Sequence, residues 1–119
     1  MICHITTRTA WEAASDSGQF LSPEFALDGF IHSSTPEQIL LVAKAFFAGR
    51  RGLVMLVVDA ARLRSSIQWE APDSDVRLPN FMRDAVFPHV YGPINTDSVV
   101  RMVDLVPNET GNFLFPQPA

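Results

Sequence analysis

The spacing of apolar positions predicts an amphipathic helix near the start of the chain. Across residues 7–17, Ala10, Trp11 and Ala14 fall on one stripe, because a helix brings positions three and four apart onto the same face. Gly18 follows at the place where a left-handed glycine commonly ends a helix. We therefore expect a helix that stops at this glycine.

A second helix has the clearest start signal in the sequence. Thr35 is a helix-capping residue, Pro36 suits the first helical position, and Gln38 can complete a capping box with Thr35. The apolar stripe of this helix consists of Ile39, Val42, Ala43 and Phe46. The helix is predicted to end near Gly49.

Short apolar and β-branched runs on either side of these helices predict strands. The predicted strands lie at residues 1–6, 29–33, 53–59, 67–70, 87–91 and 99–106. The run at 53–59 is apolar throughout, which predicts a central strand. Residues 20–28 are expected to form a connection with one helical turn, and residues 71–85 a long surface loop. Strands and helices without regular βαβ spacing favour an α+β domain with a mixed or antiparallel sheet.

The length of 119 residues allows one domain and leaves no room for a second core. The predicted domain spans residues 1–106. The tail at 107–119 contains Phe113, Leu114 and Phe115, so it is expected to pack onto the domain or to extend from it.

Nothing in the composition indicates export or membrane insertion. The single cysteine, Cys3, excludes an internal disulfide, and the apolar runs are too short to cross a bilayer. The first residues lack the basic and apolar regions of a signal peptide. We expect a cytoplasmic protein without a membrane partner. Cys3 is expected to be buried and unreactive, since its strand position opposes His4.

The net charge of −4 argues against a general nucleic-acid-binding protein. The charge is uneven, because residues 44–64 hold five cationic side chains and one acidic side chain. The cationic residues are Lys44, Arg50, Arg51, Arg62 and Arg64. A basic segment in an acidic protein can meet a phosphate group, and a solvated helix end with its turn is the plain alternative.

The candidate chemistry rests on three histidines, His4, His32 and His89, each in a predicted strand. Because side chains on a strand alternate faces, each histidine shares its face with a hydroxyl residue two positions on. Those residues are Thr6, Ser34 and Tyr91. The repeated pattern predicts one polar cleft, lined by three imidazoles, that can hold ribose hydroxyls or phosphate oxygens. The alternative is that each histidine is structural and hydrogen-bonded to a nearby loop.

Four segments resemble, in order, the signature segments of a bacterial family called domain of unknown function 952. They are His4-Ile5-Thr6, Gly29-Phe30-Ile31-His32-Ser33-Ser34, Trp69-Glu70 and Phe87-Pro88-His89-Val90-Tyr91-Gly92-Pro93. With the second helix and the strand at 53–59, the resemblance covers residues 1–106. The family is similar in fold to compact ADP-ribosyltransferases, which implies a split, curved, mostly antiparallel sheet with flanking helices.

The resemblance also implies roles for single residues. In the branch that resembles RNA 2′-phosphotransferases, His4 corresponds to the histidine that contacts a nucleotide ribose, and His32 to the one near the nicotinamide end. His89 joins them as a candidate catalytic residue. Glu70 is the candidate for the glutamate that activates an acceptor, by its place in the pattern alone. NAD is then expected as a substrate rather than a resident cofactor, with ADP-ribose transferred or hydrolysed.

Further ligand contacts are expected around this set. Arg50, Arg51 or a protonated His89 can give a charge-assisted contact to a pyrophosphate. Trp69 can stack on a base, and the plain alternative is an edge-strand aromatic beside a solvated acid. Tyr91 is expected at the edge of the cleft or in a structural corner.

Two other classes of function stay open on the sequence. Three histidines are the ligands of some catalytic zinc centres, although no His-x-His or His-x₃-His pair supports chelation. A non-catalytic module would instead bind a small ligand or a partner protein through the 71–85 loop or the aromatic tail. The sequence does not set the oligomeric state.

Overall fold

Strands alternate with α-helices as far as β4 in the computed structural model, which describes residues 1–72 and 79–113. The strands are β1 Ile2–Thr7, β2 Gln19–Phe20, β3 Ile31–His32, β4 Leu53–Val58, β5 Ser66–Glu70, β6 Phe87–Tyr91, β7 Ile94–Asn95 and β8 Val99–Leu105. The α-helices are α1 Arg8–Ser17, α2 Phe25–Asp28 and α3 Pro36–Phe46, and short 3₁₀ helices lie at Asn80–Met82 and Thr96–Ser98.

Every strand pair in the described residues is antiparallel. The strand order is β1-β4-β8 in one sheet, β3-β6-β5 in a second and β2-β7 in a third. The two larger sheets meet at one bridge, where Cys3 and Ser34 exchange backbone hydrogen bonds of 2.7 and 2.8 Å. These pairings confirm the α+β class with antiparallel strands. Beyond the Cys3–Ser34 bridge the two larger sheets separate, and we call this place the split of the sheet.

Local signals position both longer helices as the sequence predicts. The Thr7 side chain accepts a hydrogen bond from the Ala10 amide at the start of α1, and Gly18 ends the helix at a φ of 76°. At α3 the Thr35 hydroxyl and the Gln38 side chain form both bonds of the capping box, at 3.2 and 2.9 Å. The predicted end of α1 and start of α3 hold because these signals act within one helical turn, whereas α3 ends at Phe46, before the predicted Gly49.

Both faces of the β1-β4-β8 sheet carry buried side chains, and β4 is its central strand as predicted. The face toward α1 carries a cluster of Ile2, Ala14, Phe20, Ile31, Val54, Leu56, Val58, Val90 and Ile94. The face toward α3 carries Cys3, Ile5, Ile39, Ala43, Leu53, Met55, Val103, Leu105 and Phe113. Since side chains alternate along β1, Cys3 lies on the α3 face, whereas His4 lies against Phe20 on the α1 face.

Several regions differ in detail from the prediction, among them the short β2–β7 pair, which was not predicted. The strand expected at 29–33 is only Ile31–His32, because α2 ends at Gly29. The expected loop at 71–85 contains the helix Asn80–Met82, and the Met82 side chain is buried; its residues 73–78 lie outside the described residues. Phe113 of the tail packs into the core, while Leu114 and Phe115 lie outside the described residues. Within the part described, the chain has no helix long and apolar enough to cross a membrane.

Candidate functional site: a cleft at the split of the sheet

A cleft of about 470 Å³ opens where β1 separates from β3 and β6. Its apolar wall comes mainly from α3 and the residues after it, and includes Ile39, Val42, Phe46, Phe47 and Leu53. Its polar wall includes His4, Thr6, Ser22, Glu24, Asp28, His32, Ser33, Ser34, His89 and Arg50. The volume falls in the range of small-molecule sites, and a mostly apolar wall with a few polar groups is typical of them.

All three histidines line this cleft, which confirms that His4, His32 and His89 converge. The Nδ1–H of His4 donates to the backbone carbonyl of His32, so the imidazole spans the split between the two sheets. His32 pairs directly with His89 in the β3–β6 register, and their ring centroids are 5.5 Å apart. The convergence therefore depends on strand pairing as well as on the alternation of side chains.

The His4 imidazole is a buried, neutral hydrogen-bond acceptor. Only 6% of the residue is exposed, and burial lowers its pKa from 6.5 to about 4. Because Nδ1 carries the proton given to His32, the lone pair of the neutral ring lies on Nε2. This Nε2 atom has no hydrogen-bond partner in the described residues, and neither has the buried Ser33 hydroxyl. Two unpartnered polar atoms in one cleft wall are unusual in a folded interior.

Glu70, His89 and Tyr91 form a hydrogen-bonded cluster on one face of the β5–β6 pair. One carboxylate oxygen of Glu70, Oε1, accepts from His89 Nδ1 at 2.9 Å and also from the Tyr91 hydroxyl. These two donors lower the pKa of the Glu70 carboxyl. Burial lowers the pKa of His89, and the Glu70 carboxylate partly opposes that effect. The lowered pKa favours the neutral ring in the free protein, and a contact between a protonated His89 and a pyrophosphate stays a prediction.

The Phe30 ring contacts the rings of both His32 and His89, and the sequence alone did not mark it as a site residue. Its ring stacks on His89 at a centroid distance of 4.0 Å and an interplanar angle of 16°, and it lies 4.6 Å from His32. The His32 ring is exposed, and its Nε2 lies 3.0 Å from a carboxylate oxygen of Asp28. Phe30 lies two positions before His32 and just before β3, and this spacing is the signal that could have identified it.

The predicted ligand-binding residues divide into two groups. Thr6, Ser34 and Arg50 line the cleft, whereas Arg51 and Trp69 do not. Trp69 lies on the opposite face of β5 from Glu70, and its ring is half exposed. Glu70 and Tyr91 do not line the cleft themselves, but they belong to the hydrogen-bonded cluster of His89, which does.

Of the five cationic residues at 44–64, Arg50 alone lines the cleft. Arg62 pairs with Asp59 and Arg64 with Asp97, at 3.5 and 3.2 Å, so both are engaged on the surface. Arg50 lines the cleft, and its guanidinium carbon lies 5.2 Å from the Phe47 ring centroid. Sequence reasoning missed the two carboxylates of the polar wall, Glu24 and Asp28, because both fall in a connection without a local motif.

The surroundings of Cys3 and of the three histidines bear on the reactivity of the thiol and on the alternative of a metal site. Cys3 is buried as predicted, and burial raises the pKa of its thiol to about 11. In residues 1–72 and 79–113, no group of three or more histidine, cysteine, aspartate or glutamate side chains is arranged to hold a metal ion.

The fold and the cleft define an antiparallel α+β protein with a small-molecule-sized site at the split of its sheet. The chain belongs to the family described as "Protein of unknown function (DUF952)", whose sequence profile matches residues 5–102. No curated protein matches the chain.

The chain is also similar to solved structures of protein CC0527 from Caulobacter crescentus. The crystal structure is 35% identical in sequence with a TM-score of 0.78, and the match covers 95% of this chain and 92% of that one. The solution structure of the same protein is 36% identical with a TM-score of 0.74, over 93% and 89% of the two chains.

Proposed function

We propose that the cleft binds NAD or a related ADP-ribose-type nucleotide, and that the fold is of the ADP-ribosyltransferase type. The observation that carries the proposal is the buried, unpartnered Nε2 acceptor of His4 in the wall of a cleft of about 470 Å³. A ribose hydroxyl that donates to Nε2 would satisfy it. Because Nε2 is itself covered, we expect binding to displace a neighbouring side chain slightly.

The other parts of the cleft match the remaining chemistry of such a ligand. Glu24 and Asp28 offer carboxylate acceptors for the second hydroxyl of a ribose diol. Arg50 offers the charge-assisted donor that a pyrophosphate requires. The apolar wall beside α3 suits the flat face of a base. The split antiparallel sheet supports the fold type, because it is the arrangement that the family resemblance implies.

Isothermal titration of the full chain with NAD and with ADP-ribose tests this proposal. We expect both to bind, and we expect His4→Ala to weaken binding by roughly 2- to 12-fold, the cost of one hydrogen bond to an uncharged hydroxyl. Arg50→Ala should weaken binding by a factor of about 10 or more, because it removes a bond to a charged group. Arg101→Ala is the matched control, since Arg101 is exposed on β8 away from the cleft lining.

Two results would overturn the proposal. If neither ligand binds at millimolar concentration, the nucleotide proposal is rejected. A module for another small ligand or a partner protein then remains. Equal loss of affinity in Arg50→Ala and Arg101→Ala would show that the cation in the cleft has no specific role. Circular dichroism of each variant separates lost binding from lost folding.

A further inference from the structure

We propose that His89 is the general base of the cleft and that Glu70 and Tyr91 are its positioning residues. The proposal rests on the proposed function, because the base acts on the acceptor that attacks a bound NAD. It assigns distinct tasks to three residues that the strand register brings onto one face of the β5–β6 pair.

Hydrogen bonding fixes which nitrogen of His89 can accept a proton. The ionised Glu70 carboxylate only accepts hydrogen bonds, so the atom 2.9 Å away, His89 Nδ1, must carry its proton. The lone pair of the neutral ring is then on Nε2. The Tyr91 hydroxyl donates to the same Glu70 oxygen, which holds the carboxylate in place for His89.

Packing holds the ring in one orientation. Phe30 stacks against one face of the His89 ring at 4.0 Å, and only 7% of the His89 side chain is exposed. Burial favours the neutral ring that a base requires, and the Glu70 carboxylate stabilises the imidazolium that forms when the ring takes a proton. A carboxylate that orients and charges a histidine in this way is the arrangement that supports general-base catalysis.

The other two histidines are less suited to this task. His4 is buried, its pKa is lowered to about 4, and its Nδ1 donates to a neutral backbone carbonyl rather than to a carboxylate. His32 is largely exposed, and the ring nitrogen that meets a carboxylate is its Nε2. Among the three, His89 alone combines burial with a carboxylate partner on Nδ1.

The step that this arrangement supports is hydrolysis, or transfer to a hydroxyl acceptor. The O–H proton of the water or acceptor moves to His89 Nε2 while its oxygen forms a bond to the anomeric carbon of the nicotinamide ribose. The bond from that carbon to the nicotinamide ring nitrogen breaks, and its electron pair leaves with neutral nicotinamide. His89 then releases the proton to solvent.

Nicotinamide release from NAD by the full chain, followed from pH 4.5 to 9, tests the proposal. We expect the wild-type rate to rise with pH through the ionisation of His89, and His89→Gln to lower it by about 100-fold or more. Glu70→Gln should lower the plateau by roughly 10-fold and move the rise to lower pH, because Glu70 raises the pKa of His89. Tyr91→Phe should have a smaller effect on the plateau. Glu12→Gln, an exposed glutamate on α1, is the matched control and should leave the profile unchanged.

Nitrogen-15 spectra of the imidazoles give a second readout that needs no turnover. The chain has three histidines, so single substitutions assign the signals. We expect neutral His89 to carry its proton on Nδ1 in the wild type and to lose this preference in Glu70→Ala.

The outcomes separate this proposal from the nucleotide proposal. NAD that binds but is not hydrolysed or transferred, or turnover that His89→Gln leaves intact, would overturn the role of His89 and leave nucleotide binding standing. A wild-type His89 protonated on Nε2 would overturn the positioning by Glu70. NAD that does not bind at all would overturn both.

Discussion

Protonation of His4 should make the fold sensitive to mild acid. The ring is buried between the sheets, and its Nδ1–H bonds the His32 carbonyl. Burial lowers the pKa of His4 to about 4, whereas in the unfolded chain it returns to about 6.5. The unfolded chain therefore binds a proton in a pH range where the folded chain does not.

The sign and the size of the effect follow from this difference. Stability due to the neutral ring is fully present above pH 6.5, and it is lost as the pH falls from 6.5 toward 4. The difference in pKa is worth roughly 3 kcal/mol in the free energy of unfolding, of which about 2.5 kcal/mol should be lost between pH 7.5 and pH 4.5. That is a large part of the stability of a typical small domain.

Urea unfolding at pH 7.5 and pH 4.5, followed by tryptophan fluorescence, measures the loss. We expect wild type to lose about 2.5 kcal/mol more than His4→Asn over this range, because asparagine does not titrate there. His32→Asn is the matched control, since it removes an imidazole from the same cleft and keeps His4. It should retain the wild-type loss.

Two results would refute the reasoning. One is a wild-type loss no larger than that of His4→Asn. The other, which does not require the variant to fold, is an imidazole proton resonance of His4 that titrates above pH 6 in the native wild-type protein.

Three further predictions concern the cap, the thiol and metal content. Thr35→Ala should lower the free energy of unfolding by about 1 kcal/mol through loss of the α3 cap. The control Thr9→Ala, at an exposed position of α1, should not lower it. Equal urea midpoints for Thr35→Ala and wild type would contradict this. Cys3 should react with an aromatic disulfide reagent at pH 8 at least about 100-fold more slowly in the native protein than in urea, because the thiol is buried with a raised pKa; labelling at similar rates would show that it is accessible. Elemental analysis of the purified protein should find no stoichiometric zinc, and about one zinc per chain that is lost in His32→Ala would favour the metal alternative instead.

Local signals let the sequence by itself determine much of the scaffold. The Thr35 capping box and the Gly18 terminus act within a turn of helix, so they predict α3 and the end of α1 without knowledge of the rest of the chain. The apolar run at Leu53–Val58 needs two buried faces, which only a central strand provides. The opposition of Cys3 and His4 follows from the period of two along a strand.

Tertiary structure decided how the candidate site is assembled. The pairing of Glu70 with His89 and Tyr91 depends on the β5–β6 register, and a shift of one residue would turn these side chains to opposite faces. The bond from His4 to His32 joins residues 28 apart in sequence, across a split at which the backbones of the two sheets, in the residues described, are bridged at Cys3–Ser34. The sequence could place each histidine on a strand face. Which carboxylate meets which ring, and which imidazole is buried, depends on packing between distant segments that no local pattern encodes.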